Sequence, residues 1–205
     1  YKRQAVIGAS THPGKFGFVA LHNILAAGFD GNIFATNPMT PEILGVQTLE
    51  SVKSIPANSI DVAMICLGPE QTIAVLPELA EKGVKAGFVV SGGFRESGFE
   101  GIELEKELVE VANSLEITIA GPNGQGFVST PANLCSQIVS PYPPLGNISI
   151  ASQSGNILSA MLNQARARNI GIARAISIGN QAQVDIAGYI RSVSYTHLTL
   201  PTSQL

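Results

Sequence analysis

The sequence is poor in charged residues and in cysteine, and both shortages narrow the possible functions. Only 13% of the 205 residues are charged, the net charge is −3, and the 12 lysine and arginine residues are scattered along the chain. No basic stripe could neutralise a row of phosphates, which argues against a nucleic-acid-binding protein. Cys66 and Cys135 lack C-x-x-C spacing, so we expect no disulfide framework and no metal site.

Long apolar segments are also missing. No run approaches the ~20 residues that a membrane span needs, and the first residues lack the apolar core of a signal peptide. We therefore expect a cytoplasmic protein with no membrane partner. Hydrophobic residues still make up 45% of the chain, which is enough to bury a core. At about 150 residues per domain, the length predicts one large domain, or one domain with part of another.

Short β-branched runs alternate with amphipathic helical patterns, which is typical of an α/β fold. Residues 62–67 are apolar throughout, as a parallel strand covered by helices on both faces requires. We predict strands at residues 4–8, 32–36, 60–67, 86–91, 116–120, 147–151 and 173–178.

Proline marks the expected division of the chain. Residues 129–146 contain four prolines and are predicted to be a connector between a first domain, 1–128, and a second unit, 147–192. The second unit has room for about two strands, so we expect an unpaired edge and an uncovered apolar face. Residues 193–205 break the helical periodicity and resemble translated adapter sequence, so we expect a non-native, disordered tail. Because residue 1 is Tyr, upstream sequence is expected to be missing.

Ligands of an open parallel sheet bind beyond the carboxyl ends of its strands. Those ends carry small or hydroxylated residues and almost no acidic ones, which together favour an anionic ligand, although each loop alone is explained by a tight turn. The first loop, residues 8–17, departs from the G-x-G-x-x-G spacing. Asn37 stands where NAD-binding proteins need Asp or Glu. A phosphate-rich nucleotide remains a candidate ligand, with Ser10, Thr11 and Lys15 as hydrogen-bond donors to its phosphates.

These pieces occur in a recognisable order. The loop at 8–17, the Asn37-Pro38 pair and five later segments follow the order found in the NDP-forming acyl-CoA synthetases, relatives of the succinyl-CoA synthetase alpha subunit. The chain resembles that family over residues 4–192. The later segments are 67–71, 92–96, 121–123, 152–155 and 177–180. The resemblance implies a Rossmann-like domain followed by the truncated start of a flavodoxin-like α/β domain.

The resemblance also implies two sets of site residues. Coenzyme A would be bound by Gly8, Ser10, Thr11, Lys15, Gly17, Asn37, Pro38, Gly68, Pro69, Ser91, Gly92, Gly93 and Asn123. Phosphate would lie at Ser152, Ser154, Gly155, Gly179 and Asn180. The implied reaction converts acyl-CoA, phosphate and ADP to acid, CoA and ATP through a phosphohistidine. ATP or ADP, with Mg, would bind an ATP-grasp module, fused or separate, that is missing here.

The catalytic histidine is not assigned. His12 reads as a turn residue, His22 as a packed helix residue, and His197 belongs to the suspect tail. We therefore expect a fragment that binds coenzyme A without turning it over. Two alternatives stay open: a CoA-sensing or acyl-CoA-sensing regulatory domain of a protein acetyltransferase, and, more weakly, an NAD-linked oxidoreductase, which Asn37 opposes.

Two charged residues near the predicted loops have competing explanations. Arg95 follows the Gly92-Gly93 turn and either forms an ion pair or contacts the ligand. Asp185 either orients the loop at 179–180 or caps the helix that follows, and the cap is favoured.

Overall fold

The computed structural model describes residues 3–139 and 142–197, which form two sheets. The first sheet has seven strands in the spatial order β3-β4-β2-β1-β5-β6-β7, and every pair is parallel except β3 with β4. The predicted parallel sheet is confirmed. Its strands are β1 (Arg3–Ile7), β2 (Asn32–Thr36), β3 (Glu42–Ile43), β4 (Val46–Leu49), β5 (Val62–Ile65), β6 (Ala86–Val89) and β7 (Thr118–Ala120).

Both faces of this sheet are covered, because alternate residues of each strand point to opposite sides. On one face Ile7 packs with the helices α2 (Pro69–Glu81) and α3 (Phe99–Ser114). On the other, Val6 packs with α1 (Phe16–Ala26). The second sheet lies on the same side as α1, where Phe127 approaches Phe88 with ring centroids 6.0 Å apart.

The second sheet has four strands in the order β10-β11-β8-β9. They are β8 (Gly126–Ser129), β9 (Leu134–Gln137), β10 (Leu145–Ser152) and β11 (Ile172–Ser177), accompanied by the helices α4 (Gly155–Ala167) and α5 (Ile186–His197). The pair β10–β11 is parallel, whereas β11–β8 and β8–β9 are antiparallel. Residues 147–192 thus contribute two strands, β10 and β11, but the sheet has four, because a hairpin from the preceding segment pairs with β11.

Part of the expected connector is also folded. Within residues 129–146 the chain turns at Asn133, whose φ of 48° is left-handed, and β9 then runs back along β8. The prolines precede and follow β9 and do not interrupt its pairing. Where the boundary between the two units lies stays a prediction.

The last described helix differs from the expected tail. Residue Asp185 precedes α5, and the helix continues to His197, so the start of the 193–205 segment is helical and not disordered. Residues 198–205, on which the rest of that prediction falls, lie outside the described residues. None of the described helices is long and apolar enough to cross a membrane.

One edge of the second sheet is open, as the sequence predicts. In the described ranges β10 pairs only with β11, and beside it Ile148, Ile157 and Met161 are each about half exposed. These side chains line an apolar groove between β10 and α4.

Candidate functional site

The loop between β1 and α1 brings the helix very close to the strand. Gly8 has a φ of +83°, and its amide donates to Thr36 Oγ1 over 3.1 Å. A Cβ atom at Gly8 would lie 2.9 Å from the carbonyl oxygen of Cys66, and one at Gly17 would overlap the carbonyl oxygen of Gly8. The two glycines therefore allow a close approach of backbone to backbone that no side chain would permit.

The tip of this loop is held by hydrogen bonds within the loop itself. Ser10 Oγ accepts from the amide of His12 (3.1 Å), and His12 Nδ1 accepts from the amide of Gly14 (3.0 Å). A neutral His12 therefore carries its proton on Nε2. Thr11 and Lys15 are exposed, and no side chain caps the amino end of α1. The loop thus has the uncapped amides and the positive helix end that bind phosphate groups in other proteins.

Asn37 joins the loop after β2 to the loop after β1. Its Nδ2 donates to the carbonyl oxygen of Ala9 over 2.8 Å, while its Oδ1 accepts from the amides of Met39 (2.8 Å) and Thr40 (2.9 Å). Pro38 lies between these partners and is exposed. Asn37 therefore shapes the edge of the sheet and brings no carboxylate to it.

The loops after β5 and β6 lie side by side. Gly68 precedes α2 and Pro69 is the first residue of that helix, while a Cβ at Gly93 would lie 2.8 Å from Pro69 Cγ. The partly buried Ser91 and Gly92 lead into this turn. These residues of the loops after β5 and β6 thus form a narrow rim at the carboxyl ends of the strands, where the backbone lies close to the surface.

Glu96 accepts hydrogen bonds from backbone amides that could otherwise donate to a ligand. Its Oε1 accepts from the amides of Gly93 (2.6 Å) and Phe94 (3.2 Å), and its Oε2 accepts from Asn180 Nδ2 (2.5 Å). Partial burial by itself would raise the pKa of Glu96, but the hydrogen bonds from Asn180 and the backbone outweigh it and lower the pKa below its ordinary value. Glu96 is thus held as a carboxylate.

The carboxyl ends of the two sheets meet at Asn123. Its amide donates to the carbonyl oxygen of Ser91 over 3.0 Å, and its Nδ2 lies 3.4 Å from Asn180 Oδ1. The amide of Asn180 donates to the carbonyl oxygen of Pro122 over 2.8 Å, and a Cβ at Gly179 would overlap that same oxygen. The loops after β6, β7 and β11 therefore converge.

The predicted phosphate loop lies at the amino end of α4. Ser154 Oγ caps the helix by accepting from the amide of Ile157 over 3.4 Å, and Ser152 Oγ donates to the carbonyl oxygen of Ser154 over 2.9 Å. Gln153 Nε2 donates to the carbonyl oxygen of Gly179 over 3.2 Å. No acidic residue lies in the first turn of α4. The structure thus joins the two halves of the predicted phosphate site, with Gly155 as the first helical residue.

Other candidates are accounted for within the protein. Arg95 Nε forms an ion pair with Glu105 Oε1 at 2.9 Å, which is one of the two alternatives for this residue. Asp185 Oδ1 accepts from the amide of Gly188 over 2.7 Å, so the predicted helix cap is confirmed. His22 is exposed on α1, with its ring stacked on Phe18.

Among the described residues, neither the cysteines nor the acidic residues form a second candidate site. Cys66 is partly buried and Cys135 buried, and burial raises the pKa of both thiols to about 12. In the part of the chain that the structure describes, no group of three or more His, Cys, Asp or Glu could hold a metal ion.

A cavity of about 400 Å³ lies away from these loops. Phe127, Ile150 and Ile176 line it from the middle of their strands, and Tyr189 lines it from α5. Burial raises the pKa of Tyr189 to about 12. This largely apolar space lacks the converging backbone amides found at the carboxyl ends.

Comparison with known proteins shows the family to which the chain belongs. The profile of the CoA binding domain matches residues 2–130, and that of the succinyl-CoA ligase like flavodoxin domain matches residues 145–199. The chain belongs to the CoA-binding domain family. The recognised resemblance and the fold class are thereby confirmed, and the family match argues against the NAD-linked alternative.

The similar proteins are ADP-forming acid–CoA ligases. An acetate–CoA ligase [ADP-forming] of Methanocaldococcus jannaschii is 38% identical over 89% of this chain, and the alpha subunit of acetate–CoA ligase [ADP-forming] II of Pyrococcus furiosus is 36% identical over 94%. A solved dinucleotide forming acetyl-coenzyme A synthetase 1 of Ca. Korarchaeum cryptofilum, in complex with phosphate and ADP, superposes with a TM-score of 0.88 at 33% identity over 94% of this chain.

The chain spans only part of each relative. It covers 25% of the Methanocaldococcus protein and 41% of the Pyrococcus subunit. It likewise covers 41% of the Korarchaeum chain.

Sequence reasoning missed three residues that organise the site. They are Glu96, the buried Glu105 and Gln183. Gln183 Oε1 accepts from the amide of Ile119 on the edge strand β7 over 2.5 Å. Their partners are 64 to 84 residues away in sequence, so no local pattern announces them.

Proposed function

We propose that this chain is the coenzyme A-binding part of an ADP-forming acid–CoA ligase. The observation that carries the proposal is the loop at residues 8–17, where the amino end of α1 has no side-chain cap and the exposed Thr11 and Lys15 follow the carboxyl end of β1. The family match over residues 2–130 supports the same ligand. In this proposal the phosphates of coenzyme A lie at that loop, and the pantetheine arm runs along the rim toward Asn123.

The second sheet supplies the phosphate in this proposal. A phosphate ion bound at the amino end of α4 attacks the thioester carbonyl carbon of the acyl-CoA. The carbon–sulfur bond breaks, the sulfur leaves as the thiolate of coenzyme A, and an acyl phosphate forms. The positive amino end of α4 and the lack of acidic residues in its first turn favour a bound anion there.

Further steps are proposed to use parts beyond this chain. A histidine nitrogen takes the phosphoryl group from the acyl phosphate and releases the carboxylate, and ADP with Mg on an ATP-grasp module then takes it from the phosphohistidine. His12 lies in the proposed coenzyme A loop and His22 on the exposed side of α1, so neither is assigned that role. The partners of this chain in this proposal are acyl-CoA, phosphate and the grasp module.

Calorimetric titration of the chain with coenzyme A and with NAD tests the ligand. We expect coenzyme A to bind at least tenfold more tightly than NAD, because no carboxylate lies beside Asn37 to hold ribose hydroxyls. Tighter binding of NAD would overturn the proposal. Titration with acetyl-CoA separates the ligase from a sensing domain, because a ligase site binds both coenzyme A and acetyl-CoA, whereas a sensor is expected to discriminate between them.

A further inference from the structure

The side-chain amide of Asn180 is shared by two carboxylates, one from the loop after β6 and one from α3. Its Nδ2 donates to Glu96 Oε2 over 2.5 Å and to Glu105 Oε2 over 2.8 Å. An amide nitrogen has two hydrogens, so both are used inside the protein. We refer to Glu96, Glu105 and Asn180 as the clasp.

Both carboxylates are also held by residues of the loop after β6. Glu96 is held by the amides of Gly93 and Phe94, and Glu105, which is 8% exposed, is held by Arg95. Hydrogen bonds between a neutral donor and an ionised acceptor are stronger than neutral ones. The two carboxylates therefore define one position for the Asn180 side chain.

Asn180 is in turn joined to the loop that leads into α4. The amide of Gly179 donates to the carbonyl oxygen of Gln153 over 3.3 Å, and Gln153 Nε2 donates back to the carbonyl oxygen of Gly179. Residue 153 immediately precedes the cap Ser154. A chain of hydrogen bonds thus runs from the loop after β6, through the clasp, to the amino end of α4.

We infer that Glu96 is a positioning residue that, through Asn180, places the amino end of α4 for binding inorganic phosphate. Asn180 itself has no side-chain hydrogen left to donate to an anion, so the contribution of its side chain is to hold the turn at 179–180 against Glu96 and Glu105. This inference rests on the proposed function, because it assigns a task to the phosphate site of that reaction.

The direction of the effect separates positioning from plain electrostatics. Glu96 carries a negative charge near the proposed anion site, so removing that charge should by Coulomb's law alone tighten phosphate binding. Glu96→Gln removes the charge, and it also leaves a side-chain amide that must face either Asn180 Nδ2 or the amides of Gly93 and Phe94. Two N–H donors then face each other, so the hydrogen bonds of the clasp are lost. If Glu96 acts by positioning, phosphate binding should therefore become weaker.

Nuclear magnetic resonance titration of the ¹⁵N-labelled chain tests the inference, with inorganic phosphate and coenzyme A as separate probes. In the wild type we expect phosphate to shift the amides of Gly155 and Asn156. Glu96→Gln should raise the Kd for phosphate at least fivefold and change the Kd for coenzyme A less than twofold. Asn180→Ala should likewise weaken phosphate binding and leave coenzyme A binding nearly unchanged. It removes the side-chain bonds to Glu96 and Glu105, whereas the backbone bond from residue 180 to Pro122 remains.

The matched control is Glu103→Gln, an exposed glutamate of α3 whose described partner is Lys106, and neither Kd should change. Unchanged or tighter phosphate binding in Glu96→Gln would overturn the inference, as would equal weakening of both ligands. The inference would also be overturned if the wild type binds coenzyme A but inorganic phosphate does not shift the amides of Gly155 and Asn156. A wild type that binds no coenzyme A refutes the proposed function, whatever the variants do.

Discussion

Replacing Asn37 tests whether this residue shapes the coenzyme site or merely stands where an acid would otherwise bind ribose. Asn37→Ala removes three hydrogen bonds, to Ala9, Met39 and Thr40. At about 1 kcal/mol net for each bond, unfolding should become easier by about 2–3 kcal/mol. For a protein of this size the melting temperature should fall by about 4–12 °C.

Asn37→Asp should behave differently. The carboxylate keeps the two bonds from Met39 and Thr40 and strengthens them, but it loses the bond to Ala9 and places an oxygen against the carbonyl oxygen of that buried residue. The expected loss of stability is about 1–2 kcal/mol, smaller than for Asn37→Ala. The added negative charge beside bound phosphates should weaken coenzyme A by about 1 kcal/mol more than Asn37→Ala does, at a separation of ~7 Å and an effective dielectric constant of ~40.

The three proteins should therefore rank differently in stability and in affinity for coenzyme A. Stability should fall from wild type to Asn37→Asp to Asn37→Ala, whereas affinity for coenzyme A should fall from wild type to Asn37→Ala to Asn37→Asp. Chemical denaturation and calorimetric titration of the three proteins measure both orders. The reasoning is refuted if Asn37→Ala is as stable as the wild type, or if Asn37→Asp binds NAD more tightly than coenzyme A.

Three further predictions follow from the same contacts. Lys15→Ala should weaken coenzyme A by about 1–2 kcal/mol in a calorimetric titration, whereas Lys85→Ala, at the opposite end of the sheet, should leave the affinity unchanged; equal effects would remove Lys15 from the site. Ser154→Ala should cost about 0.5 kcal/mol in denaturant unfolding, at the low end for a cap because the bond is 3.4 Å long, and a loss above ~2 kcal/mol would contradict this. The ionised Glu96 should stabilise the wild type over Glu96→Gln at neutral pH. That advantage should shrink as the pH falls below the ordinary pKa of 4.5 and through the lower folded-state pKa, so an advantage that grows on acidification would be inconsistent.

The sequence predicts the first sheet well, because each of its central strands is a compact apolar run followed by a turn and a helix. In β5 Ala63, Met64 and Ile65 are buried, so both faces of the strand are covered, and that environment selects the continuous apolar pattern. The loop residues at the carboxyl ends are also predictable, since in a parallel sheet they must lie at one edge.

The elements that sequence reasoning misses depend on contacts or turns without a local signature. The β3–β4 hairpin turns at Leu44, whose φ of 53° is unusual for leucine, so only Gly45 hints at it. The hairpin of β8 and β9 belongs to the second sheet because β8 pairs with β11, about 45 residues later. The clasp likewise joins Glu96 to Asn180 across 84 residues.

A crystal structure of the chain with coenzyme A tests the central claim most directly. The account predicts that the phosphates of the ligand lie against the amides of residues 8–17 with Lys15 beside them, and that the pantetheine arm ends near Asn123. Coenzyme A bound instead in the apolar cavity between Phe127 and Tyr189, or at the groove beside β10, would contradict it.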